Sequence, residues 1–165
     1  MRVCDYAPRS LAIYCALYHC RSSTGGDEGG PHGLAIQGGA AFVCDCPADA
    51  ASLTRVELSS GAKTIVANLT SPSGCAVGGN FAYVVEQGYN DGQLLSVSLK
   101  DSTKKVLLDK LAGPMGVAVD VGAGFVYVEE RHKNLIRSVR LTDGQAAVFA
   151  TGLNSPIGVA VAGRG

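Results

Sequence analysis

The chain has 165 residues, and 22 of them are glycine, nearly twice the share of about 7% usual in globular proteins. Lys plus Arg number 14 and Asp plus Glu number 14, so the net charge is zero, which argues against a nucleic-acid binder that relies on a clustered excess of Lys and Arg. A hydrophobic share of 47% argues against intrinsic disorder, and there is no run of about 20 apolar residues to form a membrane-spanning helix.

Residues 1–30 form an N-terminal segment of unclear structure ending in a Gly-rich linker at residues 22–30. Leu11 to Cys20 is a short apolar run that follows Arg2 and Arg9, a weak leader-like start, so secretion has to be weighed. The run is interrupted by polar residues and lacks a clean small-x-small cleavage site. It reads instead as a short helix or strand, and the compartment stays open.

The prolines reveal an internal repeat. Pro31-His32-Gly33-Leu34-Ala35-Ile36 is followed by Pro72-Ser73-Gly74-Cys75-Ala76-Val77, Pro114-Met115-Gly116-Val117-Ala118-Val119 and Pro156-Ile157-Gly158-Val159-Ala160-Val161. The pattern is P-x-G-φ-A-φ, where φ is an apolar residue, at spacings of 41, 42 and 42 residues. An aromatic-centred run follows in each of the first three copies, around Phe42, Tyr83 and Tyr127, with an acid three residues later: Asp45, Glu86 and Glu130. Then comes φ-x-x-Val-x-Leu, from Leu53 to Leu58, Leu94 to Leu99 and Ile136 to Leu141. A last apolar run ends in Leu69, Leu111 and Leu153, three residues before the next proline.

Short runs rich in Val, Leu, Tyr and Phe, separated by Gly, Asp, Asn and Ser, predict four strands per unit. Four antiparallel strands at a period of 40–45 residues is the signature of a propeller blade. The expected fold is all-β, with blades at 31–71, 72–113 and 114–155 and the first strand of a fourth at 156–165. Because propellers close with about four to eight blades, the chain reads as an incomplete propeller: a fragment of a longer one, or an arc that self-associates through its open edges.

In an up-and-down blade, the end of the second strand lies beside the start of the innermost strand. Asp45, Glu86 and Glu130 are therefore expected to share a face with His32, Ser73, Met115 and Ile157. One reading is an acid-rimmed mouth for a cation or polar ligand; the other is that the acids accept backbone hydrogen bonds in turns. His132 lies in the charged run Arg131-His132-Lys133, either a solvated loop or a specificity loop. Among the six cysteines, Cys75 falls on a core position of its strand, and Cys44-Asp45-Cys46 is the only close pair, with no second pair at zinc spacing. Disulfide pairing is not fixed by the sequence. No spacing supports a Ser-His-Asp nucleophile or a phosphate-binding loop.

The P-x-G-φ-A-φ-Asp strand, the "YV" strand with its following acid and the φ-x-x-Val-x-Leu strand together resemble the NHL-type propeller repeat. They are also similar to the wider six-bladed group of senescence-marker/gluconolactonase-like and strictosidine-synthase-like propellers. Pro114 to Asp120 with Phe125 to Glu129 is the nearest copy, and the likeness covers residues 31–165. In the gluconolactonase-like members, the resemblance implies Asn or Asp metal ligands at the x position of P-x-G. Here those positions are His32, Ser73, Met115 and Ile157, so no metal and no other cofactor is expected from this chain, and a divalent ion only if further blades supply ligands. The resemblance implies a module that binds a small molecule or protein, with no catalytic site of its own. Its ligand face is expected at His32, Ser73, Met115, Asp45, Glu86, Glu130 and His132. The alternative it implies is a fragment of a propeller hydrolase or lyase.

Overall fold

A computed structural model describes residues 30–47 and 50–162. The leader-like run, Cys4, Cys15, Cys20, His19 and most of the Gly-rich linker lie outside the described residues. Three four-stranded antiparallel sheets follow one another along the chain, each an up-and-down meander. The first holds β1 (Gly33–Gln37), β2 (Ala40–Asp45), β3 (Ser52–Glu57) and β4 (Lys63–Asn68). The second holds β5 (Pro72–Gly78), β6 (Phe81–Glu86), β7 (Gly92–Ser98) and β8 (Lys104–Leu111). The third holds β9 (Pro114–Asp120), β10 (Phe125–Glu130), β11 (Leu135–Arg140) and β12 (Ala146–Ala150), with a 3-10 turn at Arg131–Lys133 between β10 and β11. No helix among the described residues is long and apolar enough to cross a membrane.

Local chemistry sets the hairpins. Gly38 and Gly39 join β1 to β2 with φ of 59° and 77°, the pair of positive values that a tight two-residue hairpin turn demands. Apolar residues then sort the strands by position. The second strand of the middle sheet is buried on both faces: Ala82 and Val84 pack toward the first sheet, Tyr83 and Val85 toward the third. The fourth strands β4 and β12 are mostly exposed, as expected for the outer rim of a blade.

Each sheet stacks on the next through two apolar seams. Phe42, Cys44, Leu53, Cys75, Val84 and Val97 are among the residues filling the first seam. Tyr83, Val85, Leu94, Val117, Val128 and Val139 are among those filling the second. Successive sheets are in closest contact at their first strands. A Cβ on Gly33 would lie 2.7 Å from the Gly74 Cα, one on Gly74 2.3 Å from the Met115 carbonyl oxygen, and one on Gly116 2.9 Å from the Gly158 Cα. Cβ atoms do not approach backbone so closely, so the glycine of P-x-G is there because the next unit's backbone occupies the side-chain position.

The fourth copy, Pro156–Val161, takes the same place beside β9 that β9 takes beside β5, through the Gly116–Gly158 approach. It forms no strand; in the three sheets the ladder partner of the innermost strand is the second strand of the same blade. Residues 163–165 lie outside the described residues.

Candidate functional site

In the second and third sheets the ladder is irregular at the x residue of P-x-G. In the second sheet Pro72 pairs with Glu86 and Gly74 with Val85, leaving Ser73 as the extra residue on β5. In the third, the register shifts between Val128 and Glu130, opposite Met115 and Gly116. Bulges of this kind turn a side chain out of the pleat and are common beside binding sites. His32, Ser73, Met115 and Ile157, with the glycine and φ residue after each, line one cavity of about 220 Å³. All four repeats contribute to it. The Ser73 hydroxyl donates toward the carbonyl oxygens of Val85 (3.4 Å) and Pro114 (3.3 Å), tying the second sheet to the third at the cavity wall.

A seam position runs through the three units. The residue two after the aromatic is Cys44 in the first sheet, Val85 in the second and Glu129 in the third. It faces the φ residue of the following P-x-G-φ strand: Cys75 for Cys44 and Val117 for Val85. Glu129 is fully buried at the equivalent place, where its Oε1 lies 3.3 Å from a Cβ placed on Gly116, next to Gly158 and Val159. The ladder irregularity opposite it frees two backbone N–H groups. Met115 donates to Glu129 Oε1 at 3.0 Å, and Gly116 donates to the same oxygen. Glu129 Oε2 is buried and has no hydrogen-bond partner among the described residues. Burial pushes the Glu129 carboxyl up to about 7, against the opposing pull of the Gly116 and Met115 N–H groups and the Arg131 guanidinium.

The repeated acids have different surroundings. Asp45, half-buried, closes β2 and pairs in register with Ser52. Glu86 and Glu130 end β6 and β10 opposite Pro72 and Pro114, at the end of each sheet where the innermost strand starts. Glu86 accepts the N–H of Thr70 at 2.6 Å. Glu130 accepts the N–H of Ala112 at 2.9 Å and the Lys133 ammonium at 2.9 Å, and pairs with the Arg137 guanidinium. Thr70 and Ala112 occupy the same place in consecutive repeats, two residues before the proline. The two acids therefore fasten the link that leads into the next blade. Burial pulls the Glu130 carboxyl up, but Lys133, Ala112 and Arg137 outweigh it and hold the group below its ordinary value.

The charged run after β10 is also engaged. Arg131 Nε donates to Ser155 Oγ at 2.9 Å, and its guanidinium reaches the Met115 sulfur at 4.0 Å. The His132 ring lies 4.7 Å from the Tyr89 ring and packs over Gly113. Asn134, at φ 56°, accepts the Ser155 N–H on its Oδ1 at 2.9 Å. These contacts bind the turn to the links around it.

Of the residues expected on the ligand face, His32, Ser73 and Met115 come together at the cavity, and Ile157 joins them. Glu86, Glu130 and His132 are engaged with inter-blade links instead. Glu129 was not expected. Its signal was present in the alignment of the repeats, where an ionisable residue stands opposite Cys44 and Val85.

Three stacked four-stranded meanders whose first strands crowd one cavity define the class: a set of β-propeller blades. Solved structures agree. A chain in the crystal structure of a nidogen/laminin complex superposes with a TM-score of 0.69 at 21% identity, over 78% of this chain and 51% of that one. Regucalcin from Agrobacterium tumefaciens, described as a calcium-binding protein, superposes with a TM-score of 0.55 at 15% identity, over 70% of this chain and 43% of that one. This chain thus matches about half the length of either relative. No protein-family model and no curated protein sequence matches it.

Proposed function

We propose that this chain is a binding module of NHL-like propeller type, without a catalytic site of its own, whose ligand or protein partner meets the face where the four P-x-G motifs converge. The observation that carries this is the single cavity lined by His32, Ser73, Met115 and Ile157, one side chain from each repeat. Concave sites with a largely apolar lining and a few convergent polar groups are the usual places for ligands. The protein complex among the similar structures supports a role in protein binding. A fragment library screened by saturation-transfer NMR tests the reading. Fragments that bind the wild type are expected to lose binding in Met115→Trp, which fills the cavity; fragments that bind both equally overturn it.

One observation favours a second reading, a fragment of a propeller hydrolase or lyase. A carboxyl pushed up to about 7 is suited to proton transfer at neutral pH, and Glu129 lies behind the cavity wall, bonded to the N–H groups of Met115 and Gly116 that line it. The donor set does not fit a divalent metal of the regucalcin kind. An imidazole, a hydroxyl, a thioether and an aliphatic side chain occupy the x positions, and no group of three His, Cys, Asp or Glu able to hold an ion comes together among the described residues. Calorimetry with Ca²⁺ is expected to show no saturable binding to this chain. A saturable isotherm lost in Glu129→Gln would favour the enzyme reading.

A further inference from the structure

The first seam carries an unusual pair. At the position filled by Val85 and Val117 in the second seam, the first holds Cys44 and Cys75, both buried and both free thiols. Cys44 lies on β2 opposite Gly33, and Gly33 is pressed against the Gly74–Cys75 backbone of the next sheet, with a Cβ there only 2.8 Å from the Cys75 nitrogen. The Cys75 thiol donates to the Phe42 carbonyl at 3.3 Å, across the seam and two residues from Cys44. Cys44 and Cys75 lie in the same buried cluster, and Cys75 and burial together push the Cys44 thiol up. Every other described residue named in that seam is apolar, so among the described residues there the two thiols are the groups able to form a covalent bond.

We propose that Cys44 and Cys75 form a disulfide that staples the first blade to the second. The oxidant is a small disulfide such as oxidised glutathione. One protein thiolate attacks it, forming a mixed disulfide and releasing one glutathione thiolate. The second protein thiolate then attacks the protein sulfur of the mixed disulfide, forming the Cys44–Cys75 bond and releasing the second glutathione. Two protein thiols lose two protons and two electrons, and the oxidant gains both. The contact with Cys75 and burial hold the Cys44 thiol well above its ordinary value, so thiolate is scarce while the seam is closed. Oxidation therefore takes place while the chain folds or when the seam opens, and the product is then sealed from reductant. The bond joins strands of different sheets, which no backbone ladder links, and so stabilises the stacking of blades rather than any single blade.

The test uses the full chain, refolded with and without oxidised glutathione, then digested and mapped under non-reducing conditions. The expected result is a peptide pair joining Cys44 to Cys75 that separates on reduction. The oxidised chain is expected to melt about 5–10 °C above the reduced one. That difference should be smaller in Cys75→Val, which installs the residue of the second seam and leaves any disulfide of Cys46 in place. The inference is overturned if Cys75 remains fully alkylatable in the oxidised, then denatured chain, or if it is found joined to a cysteine other than Cys44. The peptide map is read on the wild type, so it holds even where the variant folds poorly.

Discussion

With its carboxyl buried against Gly116 of the third sheet, Glu129 couples folding to protonation. Its ordinary value is 4.5 and its folded value is about 7. Below 4.5 the group is protonated in both folded and unfolded chains and has no effect. Between 4.5 and about 7 the unfolded chain ionises while the folded one holds its proton, so stability falls as pH rises. Above about 7 the loss is complete, at up to about 3 kcal/mol. Urea unfolding at pH 5 and pH 8 should show this fall in the wild type and a much flatter profile in Glu129→Gln. An equal fall in both places the titration elsewhere.

The glycines give a second contrast at the same scale. A methyl group at Gly74 meets the Met115 carbonyl at 2.3 Å, whereas one at Gly158 meets nothing within 4 Å. Gly74→Ala should therefore cost about 3 kcal/mol or more, and Gly158→Ala less than about 0.5 kcal/mol, in matched denaturant titrations. The repeated glycine was legible in the sequence. What it does was not, because the atoms that exclude a side chain belong to a strand about 41 residues away.

At the scale of the element, the acids that end the second strands act as fasteners. Glu130 is fully buried between Lys133, Arg137 and the Ala112 N–H, so Glu130→Ala removes both ion pairs and leaves that N–H unpaired, and should cost about 2–3 kcal/mol. Glu86 accepts a single N–H, and Glu86→Ala should cost about 1 kcal/mol. Equal losses from the two changes, measured by thermal melts, would contradict these assignments. The adjacent pair Glu129-Glu130 shows where sequence reasoning stops. Successive residues of a strand face opposite sides, so one acid enters a seam and the other a link, and nothing in two identical letters says which is which. The strands themselves were legible because their signals are local: turn glycines, alternation and the proline that opens each inner strand. The ion partners were not, since Arg137 reaches Glu130 only through the pairing of β10 with β11.

At the scale of the molecule, the stacked sheets leave apolar surface at both ends among the described residues. Leu34, Ile36 and Ile65 share the face of the first sheet turned away from the second, and Ile65 is 63% exposed. Phe149, on the third sheet beside Tyr127, is 62% exposed. Such patches invite association. Sedimentation velocity should show the chain's weight-average coefficient rising with concentration, and Ile36→Asp should flatten the rise; a strictly monomeric wild type removes this expectation.

The repeat period made the blade architecture legible, since one unit cannot bury its own faces and must stack. The cavity was only partly legible: its x residues follow from the repeat, but the bulges at Ser73 and Met115 follow from pairing. An amide chemical-shift map of the isotope-labelled chain with a bound fragment tests the assigned face most directly. Shifts are expected to concentrate at Gly33, Gly74, Gly116 and Gly158 and the residues beside them. Shifts confined to the outer strands β4, β8 and β12 would contradict a ligand face built from the innermost strands.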